Sequence, residues 1–160
     1  MKVTLALGAN IGNPGGQLRE AVDRIGALMT VNRVSSIYLT EPVGAIAQPD
    51  YFNIVLIGDT ELPVYAVQAG MHRLETEMGR ERRERDEPRP IDVDLIAYGP
   101  LVLTSRDLTV PHPRFAARTF VLVPIVEIDP VWRDPVTGAT ASDLLAAIEV
   151  PTQVRKLGPL

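Results

Sequence analysis

The residues best suited to chemistry lie in the stretch RERRERDEPRPIDVDLIAYG, which runs from Arg80 to Gly99. Its first ten residues hold five arginines, and the segment that follows contains Asp92 and Asp94. On a strand, side chains two residues apart project from the same face, here about 6 to 7 Å apart. Two carboxylates placed in this way favour Mg²⁺, which proteins often hold by one or two carboxylates together with water and phosphate oxygens.

Each half of this pattern also has a plainer interpretation. An Asp-x-Asp pair could be an exposed polar strand face, and arginines could pair with nearby acids on a solvated surface. Together the two halves favour a different chemistry, because nucleoside triphosphates require metal and guanidinium groups to offset phosphate charge. The stretch therefore predicts a phosphate-binding loop beside a metal site.

Charge and composition limit the kind of ligand. The net charge is -4, and the four acids among the first ten residues of the stretch leave a local excess of one positive charge. This balance argues against a surface for a polyanion and favours a small molecule. The chain has no cysteine, which excludes disulfides and thiolate metal sites, and its only histidines are His72 and His112.

Hydrophobic periodicity predicts the elements that position this stretch, in the order strand, helix, strand, strand, helix, strand. The six segments are VTLALG, GGQLREAVDRIGALM, VNRVSSIYLT, YFNIVLIGDTEL, LPVYAVQAGMHRLETEMG and IDVDLIAYG. This order is typical of an α+β ferredoxin-like sandwich, an antiparallel sheet with helices packed on one face. A C-terminal extension follows, with a short hairpin and two helical segments. Pro88 and Pro90 break both helix and strand, so we expect a loop before Asp92.

The whole chain, residues 1–160, is predicted to form a single domain, since this length is sufficient for one hydrophobic core. No segment approaches eighteen uninterrupted apolar residues, so we expect a cytoplasmic protein without a membrane segment.

Six motifs in order resemble one known family, the 6-hydroxymethyl-7,8-dihydropterin pyrophosphokinases of the folate pathway. They are LALGANIGN, EPVG with QPDYFN, LE..MGR.R, PRPIDVDLIAYG, LTVPHPR and RTFVLVPIVEIDP. The resemblance implies a ferredoxin-like fold and transfer of the β,γ-diphosphate of ATP to the pterin hydroxymethyl group, with release of AMP. It also implies two Mg²⁺ ions.

Site residues follow from the same resemblance. It implies that Asp92 and Asp94 bind the metals and that Arg80 and Arg89 act in catalysis together with them. The implied nucleotide-binding residues are His72, Glu75, Arg80, Arg82, Arg89, Leu95, Thr109, His112 and Arg118. The implied pterin-binding residues are Thr40, Val43, Gly44, Tyr51, Asn53 and Phe120. The chain departs from the family at Asp86 and Glu87, where familiar members have a Trp-Gly pair that helps to cover the active site.

Several of these positions have simpler explanations when the resemblance is set aside. Tyr51 and Phe120 border apolar runs, as core residues do. His112 lies between two prolines, as in a packed loop, and His72 could pair with Glu75 on a helix surface. Four glycines near the N-terminus are not followed by the Lys-Ser/Thr of a P-loop, so we predict turn roles for Gly8, Gly12, Gly15 and Gly16.

Taken together with these residues, the resemblance implies a Mg²⁺-dependent diphosphotransferase of folate biosynthesis. Its expected partners are ATP and a dihydropterin, without nucleic acid or membrane, and the expected state is a monomer. The alternative is a non-catalytic nucleotide-binding paralogue of the same fold. An RNA-binding ferredoxin-like domain is disfavoured, because such domains use exposed aromatic residues and a basic face, whereas this chain has three Phe, one Trp and an acidic balance.

Overall fold

The protein is described by a computed structural model covering residues 1–42, 47–80 and 88–160. The described residues form eight strands: β1 (Lys2–Ala9), β2 (Thr30–Val34), β3 (Ile37–Thr40), β4 (Tyr51–Asp59), β5 (Asp92–Tyr98), β6 (Leu103–Thr104), β7 (Thr109–Val110) and β8 (Val154–Gly158). They also form four α-helices: α1 (Pro14–Ile25), α2 (Val64–Glu77), α3 (Thr119–Ile128) and α4 (Ala141–Ala146).

The central sheet is antiparallel and has the strand order β5-β1-β4-β3-β8, with β2 also pairing with β4. Strands β6 and β7 form a separate hairpin. The segment VNRVSSIYLT, predicted as one strand, is divided into β2 and β3. The division falls at Ser35, whose N–H and Oγ bond the backbone of Val55 on β4 and so replace two ladder bonds.

Helices cover both faces of the sheet. The first face packs against α1 and α2 through alternate residues of β1 and β4, such as Leu5, Leu7 and Leu56. This confirms the ferredoxin-like sandwich. The C-terminal extension supplies α3 and α4, which pack against the opposite face through residues such as Val55 and Ile57.

Local sequence explains where α1 and α2 begin and end. Asn13 accepts a hydrogen bond from the Gly16 N–H and so caps α1, and Pro14 occupies its first turn. Gly79 follows α2 with a φ of 85°, a left-handed conformation that favours glycine and ends the helix directly before Arg80.

The predicted turn roles of the N-terminal glycines are correct only for Gly12, which has a φ of 70°. Gly8 lies inside β1, because the apolar alternation of that strand continues through Ala9. Gly15 and Gly16 lie in the first turn of α1, because Asn13 caps the helix and Pro14 begins it.

None of the helices in the described ranges has both the length and the apolar character needed to cross a membrane.

Candidate active site

The predicted metal-binding carboxylates lie on the sheet face that carries α3. In the ladder between β1 and β5, Asp92 is opposite Gly8 and Asp94 is opposite Ala6. On the other side of β1, Gly8 is opposite Asn53 of β4. Since residues opposite each other in an antiparallel ladder share a face, the Asp92 carboxylate and the Asn53 amide lie on one face, separated only by Gly8.

Asp92 is held by two arginines that flank the predicted phosphate-binding loop. Arg80 Nη1 lies 2.6 Å from Asp92 Oδ1, and Arg89 Nη1 lies 3.1 Å from Asp92 Oδ2. All three side chains are between 20% and 29% exposed, so the cluster is desolvated in part but open to a ligand. Arg80 and Arg89 are therefore both paired with the first residue of β5.

Asp94 has its own cationic partner. Arg118, directly before α3, places Nη1 at 2.7 Å from Asp94 Oδ2, and His112 Nε2 lies 3.8 Å from the same oxygen. Burial lowers the pKa of His112, which outweighs the opposite effect of the Asp94 charge. At neutral pH His112 is therefore a neutral imidazole, whose Nδ1 accepts from the Arg114 N–H.

Glu75 lies beneath this cluster and is almost fully buried, with 3% of its surface exposed. It accepts a hydrogen bond of 2.8 Å from the Val93 N–H and is also paired with Arg80. Burial raises the pKa of Glu75 to about 7, while the bond from Val93 and the charge of Arg80 act in the opposite direction. In this buried position the Glu75 carboxylate can orient the Arg80 guanidinium.

A cavity of about 290 Å³ adjoins Asp94 on the outer side of β5. It lies between α2, β5 and the β6–β7 hairpin, and four of the predicted nucleotide-binding residues line it: His72, Leu95, Thr109 and His112. Gln68 of α2 donates to the Asp107 carbonyl at 2.7 Å and so fixes the hairpin turn over the cavity. His72 is exposed on α2, at the side of the cavity.

On the other side of β1 the structure brings together Thr40, Tyr51 and Asn53. The Asn53 Nδ2 donates to Thr40 Oγ1 at 2.8 Å and to the carbonyls of Tyr51 and Tyr38 at 3.3 and 3.4 Å. The amide nitrogen is thus engaged by protein oxygens. Phe120 lies in the first turn of α3, with the Arg118 guanidinium carbon 5.5 Å from its ring centroid.

Sequence reasoning missed Asn10, which joins the two halves of the site. This residue is 2% exposed, and its Nδ2 donates to Gln48 Oε1 and the Pro49 carbonyl at 2.9 and 3.1 Å. Its Oδ1 accepts from the Arg89 N–H at 3.0 Å. The only available signal was an Asn directly after an apolar strand, which is also ordinary turn chemistry.

The side chains available as ligands show which kind of metal ion the site could bind. Within residues 1–42, 47–80 and 88–160, no group of three or more acidic or histidine side chains could hold a metal by itself. Asp92 and Asp94 offer two carboxylates on one face, and both are about one-third exposed. Such a pair fits Mg²⁺ when substrate phosphates and water complete the coordination, and not a metal that needs an all-protein site.

Three predicted site residues, Arg82, Val43 and Gly44, lie outside the described residues. The same holds for Asp86 and Glu87, where the sequence departs from the family. Their assignments stay predictions.

The fold and the site together are those of a candidate enzyme acting on phosphate compounds: an α+β sandwich with an acidic pair, three paired arginines and an adjoining cavity. Residues 4–130 match the family model for 7,8-dihydro-6-hydroxymethylpterin-pyrophosphokinase. The chain therefore belongs to this family.

Curated relatives agree with this result. The chain is 35% identical over 148 residues to a 2-amino-4-hydroxy-6-hydroxymethyldihydropteridine pyrophosphokinase of Pseudomonas aeruginosa, covering 91% of each chain. It is 38% identical over 126 residues to the protein of the same name from Haemophilus influenzae, covering 78% of this chain and 79% of that one.

Longer proteins also match. The chain is 38% identical over 130 residues to the mitochondrial folate synthesis bifunctional protein of Arabidopsis thaliana, covering 79% of this chain but 23% of that protein. A crystal structure of Plasmodium falciparum HPPK-DHPS with pteroate has a TM-score of 0.73 at 11% identity, covering 91% of this chain and 42% of that one. The chain thus spans less than half the length of these two proteins, and the structural match bears on the fold alone.

Proposed function

We propose that this protein transfers the diphosphate of ATP to the hydroxymethyl group of 6-hydroxymethyl-7,8-dihydropterin and releases AMP. The observation that carries the proposal is the position of the acidic pair between two compartments. Asp94 lines the cavity beside α2, whereas Asp92 lies on the same sheet face as Asn53, with Gly8 between them. A nucleotide in the cavity and a pterin at Asn53 would therefore meet at these carboxylates.

The bond changes in this reaction are simple. The pterin hydroxyl oxygen attacks the β-phosphorus of ATP, and the bond from that phosphorus to the oxygen that bridges the α- and β-phosphates breaks. AMP leaves with the bridging oxygen, and the hydroxyl proton passes to solvent. Positioning of the two reactants and stabilisation of phosphate charge supply most of the rate enhancement in phosphoryl transfer. The residues of this chain are suited to both tasks.

Asp92 and Asp94 would hold two Mg²⁺ ions. Bound Mg²⁺ supplies charge neutralisation and a template for the attacking and leaving oxygens. The arginines pair with these carboxylates in the substrate-free protein. Polyphosphate oxygens would replace the carboxylates as partners of Arg80, Arg89 and Arg118, and a guanidinium binds such oxygens in a fixed geometry.

We further propose that residues 1–160 form one pyrophosphokinase domain that acts as a monomer in the cytoplasm. Sedimentation equilibrium at micromolar concentration tests the oligomeric state.

The assigned reaction releases AMP, whereas a kinase that transfers only the γ-phosphate of ATP releases ADP. With Mg²⁺ and ATP, chromatography should detect AMP only when 6-hydroxymethyl-7,8-dihydropterin is added. AMP formation without the pterin, or none with it, would contradict the proposal. ATP binding without AMP formation would identify a non-catalytic nucleotide-binding protein instead.

Replacing Asn53 by alanine is expected to weaken pterin binding and leave ATP binding nearly unchanged. Loss of a hydrogen-bonding partner for a buried ring edge costs about 1 to 3 kcal/mol, or roughly 5- to 150-fold in Kd. Titration calorimetry with each ligand measures the two affinities. Asn32→Ala is the matched control, since Asn32 is exposed and bonds only Asp59 among the described contacts. Equal pterin affinity in wild type and Asn53→Ala would place the pterin elsewhere.

A further inference from the structure

Glu75 is a buried charged residue to which the proposed reaction assigns no step. It belongs to α2, two residues before that helix ends at Glu77, and only 3% of its surface is exposed. Gln68 and His72 of the same helix line the cavity, but Glu75 is not among the described residues that do so. A glutamate is almost never buried to this extent without partners that compensate for its lost hydration. The role of Glu75 must therefore be sought in its partners.

One oxygen of Glu75 has two partners that belong to different parts of the site. Oε1 accepts a hydrogen bond of 2.8 Å from the Val93 N–H, and it is also the oxygen that pairs with Arg80. Val93 lies on β5 directly between Asp92 and Asp94. The Glu75 carboxylate therefore joins the arginine to the backbone of the strand segment that carries both acidic residues.

Arg80 has a second acidic partner, and the two partners differ in exposure. Its Nη1 contacts Glu75 and also lies 2.6 Å from Asp92 Oδ1. The Asp92 side chain is 29% exposed, whereas that of Glu75 is 4% exposed. A ligand that enters from solvent can therefore displace Asp92 from the guanidinium, whereas Glu75 is shielded from it. Removing one partner of a buried ion pair is strongly unfavourable, so Arg80 should keep its bond to Glu75.

This arrangement leaves the guanidinium in place when its exposed partner is exchanged for phosphate oxygens. A charged group that is held in position before the reaction stabilises developing phosphate charge without a cost of reorganisation. We propose that Glu75 is a positioning residue for the transfer: it holds Arg80 against the backbone between Asp92 and Asp94 and does not itself contact the nucleotide. This inference rests on the proposed function, and it replaces the nucleotide contact that the family resemblance implies for Glu75.

Glu75→Gln tests the proposal with little change in shape. The amide keeps an oxygen that can accept from the Val93 N–H, but it lacks the negative charge that pairs with Arg80. AMP formation at saturating substrates should fall roughly tenfold or more, whereas the Kd of a non-hydrolysable ATP analogue should change less than about threefold. Glu127→Gln is the matched control, since Glu127 pairs with Lys156 near the C-terminal end of α3 and should behave as wild type.

A double-mutant cycle shows whether Glu75 acts through Arg80. If it does, adding Glu75→Gln to Arg80→Ala should cause no further loss of turnover, because the group that Glu75 positions is already absent. In an Arg118→Ala background the same change should cause its full loss, since Arg118 pairs with Asp94 instead. The proposal is overturned if Glu75→Gln lowers turnover as much in Arg80→Ala as in wild type, or if Arg118→Ala abolishes its effect. A loss of analogue affinity equal to the loss of turnover would also overturn it.

A measurement that requires neither turnover nor a Glu75 variant uses Asp92→Ala. In protein labelled with ¹⁵N-arginine, a guanidinium whose rotation is restricted by its partners gives separate Nη signals, and a mobile one gives averaged signals. Without ligands, the Arg80 signals of Asp92→Ala should remain separate because Glu75 still holds the group, while those of the exposed Arg19 should be averaged. Averaged Arg80 signals would overturn the proposal. If wild type forms no AMP with the pterin, the proposed function fails, whereas these signals still decide whether Glu75 holds Arg80.

Discussion

Alanine at Asp92 or Asp94 is expected to reduce turnover by roughly 10³-fold or more, equivalent to about 4 kcal/mol of transition-state stabilisation. Each replacement removes a carboxylate from the proposed metal site. It also removes the ion pairs that this carboxylate makes with arginine. The variants should still fold, because both carboxylates are about one-third exposed and belong to neither hydrophobic cluster.

Two measurements check this prediction. Initial rates of AMP formation at saturating Mg²⁺ give turnover, and Mn²⁺ titration followed by electron paramagnetic resonance reports metal binding in the presence of a nucleotide analogue. Asp23→Asn, an exposed change on α1, is the control and should behave as wild type. Near-normal turnover and Mn²⁺ binding in Asp92→Ala or Asp94→Ala would remove that residue from the metal site.

Alanine at Arg80 or Arg89 is expected to reduce turnover by roughly 10² to 10³, or about 3 to 4 kcal/mol. Both guanidinium groups contact the Asp92 carboxylate. If they act mainly on the charge that develops as the phosphate bond breaks, the affinity for ATP should change much less than the rate.

Single-turnover rates and ATP affinities, measured for the same variants, separate these effects. Arg24→Ala serves as the control, because Arg24 is 41% exposed and its pairs with Glu20 and Glu77 lie on the outer surfaces of the helices. Such surface pairs contribute little to stability. Equal losses in ATP affinity and turnover would assign Arg80 and Arg89 to substrate binding in general.

Much of the core was predictable because it depends on patterns within single segments. Apolar alternation and helical spacing identified β1, β4, β5, α1 and α2. The Asp-x-Asp spacing correctly placed Asp92 and Asp94 on one face. The position of β8 was not predictable, since its residues VRKLG carry two charges and only pairing with β3 makes them a strand.

What the sequence did not reveal depends on contacts between distant segments. Gly8 and Asn10 lie close to turn-forming residues, so the local sequence gives them no other role. Only the registers of β1 with β4 and β5 show that Gly8 lies between Asn53 and Asp92. Likewise, the bonds from Asn10 to Gln48 and Pro49 and from Arg89 to Asn10 join segments about 40 and 80 positions away. A local pattern carries no signal for such pairs.

The position of β5 at the end of the sheet also affects how the protein avoids self-association. An open strand edge can pair with the edge of another molecule and start aggregation. Here Glu75 accepts from the Val93 N–H, and the His112 N–H donates to the Ile96 carbonyl. The Glu75 side chain and the backbone at His112 therefore occupy main-chain groups of β5 that a second molecule would otherwise bind. Replacing Glu75 by alanine would free the Val93 N–H, so we expect such a variant to aggregate more readily than the wild type.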